Sequence, residues 1–527
     1  MTESNTSNKK IPTVLIILDG FGLADETKKG NAITSKTAPN VFSYMKQYPS
    51  TQLVSSGIDV GLFPGQPGNS EAGHLNIGAG RIVKQDLVLI SEAIANGTFF
   101  KNEAFKQALF HVKKYNKAVH IFGLLTNGCS AHANPEHMYA MLEYFRRERQ
   151  GKVFLHLFTD GRDSNTNSAL KYLEDLKKHL LEHEKIATIM GRFYAMDRNK
   201  IWDRTRQAYE AIVSGQGRTA SSPEEAIKES YQRGDTDEFI EPTVIVENGK
   251  PVGLFDDNDS IYFINARSDR ARQLTKAFVQ PDFQKKNVGA FKRSRFPQNT
   301  RFVAMTDFGP DLPGVFTAFP SLDVNNAIAK AIGANYRQLY ISETEKYAHI
   351  TYFINGGYAQ ALNGEDREVI NSISIRSYAE KPTMSAEELT NRVLSYLQKE
   401  KYNFVCMNYP NADMVGHTGE FIAVQTAIQF VDEQVKKIVD EVVEKEGGQV
   451  LIVADHGNAE EMIDPVTGEI STEHTANPVP FIIIKKGMEG VKLRKGRLAD
   501  VSPTLLKLMN LNKPKEMTGE CLFDAVI

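Results

Sequence analysis

The chain has 527 residues, more than one hydrophobic core usually organises, so two domains are expected. Its 41% hydrophobic and 24% charged residues are ordinary for a soluble globular protein, and a net charge of −3 argues against nucleic acid or an anionic membrane as the main partner. Cys129, Cys406 and Cys521 are too few and scattered for a disulfide framework or a thiolate zinc site, so they read as small buried hydrophobes; with a polar start and no apolar run near ~20 residues, a cytoplasmic protein is expected.

The first apolar run, Val14–Leu18, is too short for a helix and does not alternate, which suits a strand buried on both faces of a mainly parallel sheet. It ends in Asp19, within TVLIILDGFG, where an aspartate is equally at home as a turn residue or a cap. Pro64–Arg81 reads PGQPGNSEAGHLNIGAGR. Ser70 there stands between a Gly/Pro-rich loop and helix-compatible residues. That makes it a candidate helix N-cap and, equally, a candidate nucleophile at a phosphate-favouring helix N-terminus.

Between about residues 85 and 317 the character changes. Expected strands Val119–Leu125, Val153–Phe158, Ile186–Met190, Ile261–Ile264 and Phe302–Met305 alternate with arginine-rich loops. These loops are TDGRD (Asp160, Arg162, Asp163), GRFYAMDRNKIWDR (Arg192, Arg198, Arg204) and NARSDRAR (Arg267, Arg270, Arg272). Because they follow strands, the arginines are expected to converge on one anion-binding mouth rather than spread over a solvated face. The basic, irregular stretch Pro281–Thr300 is expected near a domain boundary.

The last third resumes the alternation with Leu339–Ile341, Phe404–Met407, Val450–Ala454 and Phe481–Ile484. Ser385–Glu388 has the form of a capping box before a stripe of Leu389, Val393 and Tyr396. Ile428, Val431, Val435, Ile438 and Val442 make a second helical stripe, stopped by Gly447–Gly448, and Ser502–Pro503 is expected to open a last helix. Strands alternating with helices define an α/β chain, whose chemistry gathers beyond the carboxyl ends of the strands.

That last third also concentrates candidate ligands. NYPNADMVGHTG carries Asp413 and His417 four residues apart, a spacing that puts both on one helical face. ADHGN places Asp455 and His456 just after a strand, and STEHTANPVP carries His474. A mixed carboxylate–imidazole set without cysteine suits Mn²⁺, Zn²⁺ or Mg²⁺, with Mg²⁺ the least natural, and is too long for one tetrahedral ion.

Taken together, ILDGFG, PGNSEAGHLNIGAGR, TDGRD, GRFYAMDR, ISETEKYAH, DMVGHTG and ADHGN resemble the cofactor-independent phosphoglycerate mutases, a branch of the alkaline phosphatase superfamily. The resemblance implies a phosphatase-like metal domain from residues 1–84 and 318–527, and an inserted transferase domain from 85–317 that binds substrate. It further implies that Asp19, Ser70, Asp455 and His456 hold one manganese, and Asp413, His417 and His474 the other, with Mg²⁺, Co²⁺ or Zn²⁺ as alternatives. Ser70 is then the nucleophile and Lys346 the neutraliser of the transferring phosphoryl group. Arg192, Arg198, Arg267 and Arg270 become the phosphate and carboxylate clamps, while Arg162 and Asp163 become the glycerate-binding pair. The segment TNGCSAHANPEH departs from the family's pattern; His132 is the nearest equivalent of the transferase-domain histidine, and His137 is its rival. The implied activity is interconversion of 3- and 2-phosphoglycerate through a phosphoserine, without bisphosphoglycerate. A monomer with no nucleic-acid or membrane partner is expected. The alternatives are a metal-dependent phosphohydrolase or phosphopentomutase sharing the metal motifs, and a non-catalytic metal-dependent scaffold.

Overall fold

The computed structural model describes residues 11–128, 130–320, 324–362 and 364–524; Cys129 lies outside the described residues. The chain forms two compact units, Met1–Gln85 with Asp323–Ile527, and Asp86–Leu322. No helix among the described residues is long and apolar enough to cross a membrane.

The first unit is built on an eight-stranded sheet. Its strands run in the order Glu365–Ile370, Gln338–Glu343, Phe404–Tyr409, Thr13–Leu18, Gln449–Val453, Val479–Ile484, Ser50–Val54 and Gly496–Arg497. The pairings from Glu365–Ile370 through Gln449–Val453 are parallel, and Val479–Ile484 is antiparallel to both neighbours. Thr13–Leu18 and Phe404–Tyr409 are buried at every position, as expected of strands covered on both faces. Each fully buried Val, Ile or Leu contributes about 1.5–3 kcal/mol by leaving water, so these runs anchor the unit.

The register matters more for function. Thr13 pairs with Phe404 on one side and Gln449 on the other, and Gln338 also pairs with Phe404. Four neighbouring parallel strands therefore end nearly level, and the residues after them emerge side by side at one edge.

The second unit carries a nine-stranded sheet. Its main path is Val315–Phe319, Arg301–Thr306, Ser260–Phe263, Val119–Leu125, Val153–Thr159, Glu184–Gly191, Thr243–Glu247 and Arg218–Ala220, with Lys250–Pro251 pairing to Thr243–Glu247. The first six of these strands are mutually parallel. The loops after Val153–Thr159, Glu184–Gly191 and Ser260–Phe263 thus leave the sheet at the same edge.

Several local expectations change. Ser385 precedes the helix Ala386–Gln398 but makes no side-chain cap; its hydroxyl donates to Asn371 O at 2.9 Å, and its N–H donates to Glu343 Oε1 at 2.9 Å. A tertiary partner has outcompeted the local box. The final helix begins at Val501 rather than at a Ser502 cap, because Ser502 Oγ donates to Ile77 O at 2.6 Å. The Ile428–Val442 stripe is buried throughout, though the α-helix ends at Val439 and Val442 sits in a wider turn, Asp440–Lys445. Pro281–Thr300 lies within the second unit and contains the short helix Phe283–Lys286, so it is not a boundary. Cys406 is buried on its strand, whereas Cys521 is only half-buried.

Candidate active site

The level strand ends of the first unit deliver the candidate residues. Asp19 directly follows Thr13–Leu18, and only Ala454 stands between Gln449–Val453 and Asp455. The helix Asn411–Gly416 after Phe404–Tyr409 carries Asp413, and the turn Thr344–Lys346 after Gln338–Glu343 carries Lys346. Ser70 arrives on a separate helix, Ser70–Ala79. The cap of that helix is Asn69, whose side chain accepts from Ala72 N at 2.9 Å; Ser70 is the first helical residue, not the cap. Its hydroxyl is thereby left for the site. The helix approaches closely because position 73 is glycine: a Cβ there would stand 2.6 Å from Asp455 O.

Ser70 Oγ is the meeting point. It accepts from Lys346 Nζ at 2.6 Å, donates to Asp19 Oδ1 at 3.2 Å, and lies 2.9 Å from His456 Nε2. Lys346 Nζ also donates to Asp19 Oδ1 and Asp413 Oδ2, both at 2.7 Å. Around Asp413 Oδ1 gather His474 Nε2 at 3.1 Å and His417 Nε2 at 3.2 Å, with the two imidazole nitrogens 3.2 Å apart. His456 and His474 stack with ring centroids 4.0 Å apart.

Burial and charge explain the electrostatics. Burial alone would drive Asp19 and Asp413 toward their neutral forms, but Lys346 and the neighbouring imidazoles hold both carboxyls well below the usual range. Burial would likewise discharge Lys346, yet Asp19, Asp413 and Asp455 keep it a firmly protonated ammonium. Burial opposes a charged His456, while Asp455, Asp19 and Asp413 raise it to about 9.

Among the described residues, two sets of donor atoms lie within 4.8 Å of one another: Asp19–Asp455–His456 and Asp413–His456–His474. They share His456, and His417 stands beside the second. Two imidazole nitrogens turned on each other and on a carboxylate form an electron-rich pocket that a cation would fill, and hard oxygen with borderline nitrogen is the donor chemistry of divalent first-row metals. The residues fit such ions.

Two supporting residues escape the sequence reading. Asn408 Nδ2 donates to Asp19 Oδ2 at 2.8 Å and lies 3.0 Å from His74 Nε2. His74 Nδ1 lies 2.9 Å from Ser70 O and 3.2 Å from Asp455 Oδ2. Both fall inside motifs already singled out, PGNSEAGHLN and NYPNADMVGHTG, where they lie near the candidate ligands Ser70 and Asp413.

In the second unit the arginines do share surroundings. Arg192 is buried and donates to Asp160 Oδ1 at 2.5 Å and Asp163 Oδ2 at 2.8 Å, and Ser130 Oγ donates to Asp163 Oδ2 at 2.7 Å. Burial opposes charge on Asp163, but Arg192 and Ser130 keep it ionised. Arg198 and Arg267 flank Asp269, the second at 3.3 Å. Burial, then the fields of Arg198, Arg162 and Arg192, lower the pKa of Arg270. Arg162 itself faces Glu238 at 3.6 Å. Arg204 and Arg272 are engaged elsewhere, the first with Asp197 at 3.0 Å and the second with Asp311.

His132 belongs to this cluster: burial first, then Arg192, depress it to about 4, with Asp269, Arg267 and Asp163 also acting on it. His137 does not belong to it. It lies on the helix Pro135–Arg147 with its ring 2.9 Å from Ser91 Oγ, a packing role.

Known proteins resemble this chain over nearly its whole length. Residues 90–310 match the family model described as BPG-independent PGAM N-terminus. The 2,3-bisphosphoglycerate-independent phosphoglycerate mutase of Acetivibrio thermocellus is 47% identical over 512 residues, covering 97% of this chain and 98% of that protein. The protein of the same name from Clostridium botulinum is 46% identical over 516 residues, covering 97% and 99%. A crystal structure of Leishmania mexicana phosphoglycerate mutase at low cobalt concentration superposes with a TM-score of 0.77 at 28% identity, covering 98% of each chain. Likeness over almost the whole of each relative places the chain among the α/β isomerases that act on phosphoglycerate. It belongs to the 2,3-bisphosphoglycerate-independent phosphoglycerate mutase family.

Proposed function

We propose that the chain interconverts 3-phosphoglycerate and 2-phosphoglycerate through a phosphoserine at Ser70, in a site that holds two divalent cations, with manganese the first choice. The observation that carries this is the meeting of Ser70 Oγ with Lys346 Nζ at 2.6 Å inside a ring of Asp19, Asp413, Asp455, His456 and His474. Asp19, Ser70, Asp455 and His456 would hold one ion, and Asp413, His417 and His474 the other. Bound there, such ions lower the pKa of a serine hydroxyl and neutralise phosphoryl oxygens. The Leishmania enzyme, crystallised at low cobalt concentration, supports divalent occupancy, and the mixed oxygen–nitrogen donor set favours Mn²⁺ over Mg²⁺.

Ser70 Oγ attacks phosphorus in line, forming the Oγ–P bond as the bond to the glycerate oxygen breaks. Lys346, a fixed ammonium, offsets charge on the equatorial oxygens as they pass. The protons balance in each half: Ser70 Oγ gives one up as it attacks while the departing glycerate oxygen gains one, and in the return step the other hydroxyl gives one up while Ser70 Oγ regains one. Asp163, held ionised by Arg192 and Ser130, suits accepting a hydrogen bond from a glycerate hydroxyl. Arg192, Arg198, Arg267 and Arg270 would grip phosphate and carboxylate, Arg162 would bind glycerate with Asp163, and neutral His132 would offer a hydrogen bond rather than a charge.

The test is a coupled assay of 3-phosphoglycerate conversion without bisphosphoglycerate, on protein stripped by a chelator and then given Mn²⁺. Activity should vanish on stripping and return with the metal. Release of free phosphate in place of the isomer would instead make the enzyme a phosphohydrolase.

A further inference from the structure

The loops that carry the candidate ligands leave different strands, and strand pairing fixes only where those loops begin. One buried side chain outside the ligand set ties three of them together. Glu460 is fully buried. Its Oε2 accepts from Gly22 N at 3.1 Å and from Asn458 N at 2.9 Å. Its Oε1 accepts from Asn477 Nδ2 at 3.0 Å and from Thr475 Oγ1.

Each partner belongs to a ligand loop. Gly22 lies three residues after Asp19, Asn458 two after His456, and Thr475 next to His474. A fourth loop is reached at one remove, because Asn458 Nδ2 donates to Asp413 Oδ1 at 3.3 Å. The fit leaves no slack. A Cβ at position 22 would stand 2.2 Å from Glu460 Cδ, and one at position 457 would stand 2.3 Å from Glu460 Oε1. Thr475 N also donates to Gly457 O at 2.9 Å, which locks the second and third loops to each other.

We infer that Glu460 is a positioning residue that sets the spacing between the cation-holding loops, and this rests on the two-cation reading above. It accepts four hydrogen bonds from neutral donors, and a glutamate is the one side chain of that length with acceptor capacity on both terminal atoms. Outer groups of this kind are worth about 10–100-fold in metal affinity.

The test is calorimetric titration of the chelator-stripped full chain with Mn²⁺, alongside thermal melting of the stripped protein. In Glu460→Gln, an NH₂ faces donors where an acceptor stood; Mn²⁺ affinity should fall about 10–100-fold, with turnover recovering at saturating metal. Thr475→Val removes a single donor and should shift affinity the same way by less, and it serves if Glu460→Gln does not fold. Superimposable Mn²⁺ titrations of variant and parent, even with a lowered melting temperature, would make Glu460 merely structural and overturn the inference. Failure of the parent itself to take up Mn²⁺ would overturn the two-cation reading and the inference with it.

Discussion

Lys346 Nζ lies 2.6 Å from Ser70 Oγ and 2.7 Å from both Asp19 Oδ1 and Asp413 Oδ2, so one ammonium serves a hydroxyl and two carboxylates. Replacing it with methionine keeps the length and removes the charge. Activity should fall about 10²–10³-fold, the usual cost of losing one transition-state donor. The stripped Lys346→Met protein should also melt lower than the stripped parent, because its buried carboxylates lose their cation. Added Mn²⁺ should narrow that gap, which paired melting curves with and without metal would show.

Arg192 and Arg270 should respond differently to the same truncation. Arg192 is buried against Asp160 and Asp163, so Arg192→Ala leaves two carboxylates unpaired and should cost about 3–5 kcal/mol of stability. Arg270 is only partly buried and sits in the field of three other arginines. Arg270→Ala should leave the melting temperature nearly unchanged and raise KM about 10–100-fold, the loss expected of a charge-assisted hydrogen bond. Denaturant melts and steady-state kinetics on both variants separate the two roles.

His132 makes a pH prediction whose sign is fixed by its burial. Unfolded, the imidazole titrates near 6.5, whereas in the fold burial and Arg192 hold it to about 4. Between those values the unfolded chain binds a proton that the folded chain does not, so stability falls as pH drops from 6.5 toward 4. His137, depressed to about 4 by burial, acts in the same sense. His132→Gln should flatten part of that slope. Melting temperature followed from about pH 7.5 down to about pH 4.5 would check it; parallel curves for parent and variant would contradict it.

Much of the site is legible in the sequence because its donors follow apolar runs that could only be buried strands. Asp19, Asp413 and Asp455 each sit just past such a run, and level parallel strands bring their ends together. Roles that depend on distant partners are not legible. Nothing local distinguishes Asn69 from Ser70 as the cap, since both residue types cap well; the difference is that Ser70 meets Lys346, 276 positions away. Glu460 reads as one more acid in a polar loop until Gly22, 438 positions away, is seen to donate to it. His137 rivals His132 by sequence proximity alone, and the helix Pro135–Arg147 turns it toward Ser91 instead.

On the proposed route, Ser70 carries the phosphoryl group between the two positions of glycerate. Intact-mass analysis of the Mn²⁺-loaded enzyme, quenched during turnover of 3-phosphoglycerate and then mapped by peptide, tests it directly. A phosphoryl adduct is expected on the peptide containing Ser70, absent from a folded but inactive Ser70→Ala variant. An adduct that persists in Ser70→Ala, or turnover in that variant, would contradict it.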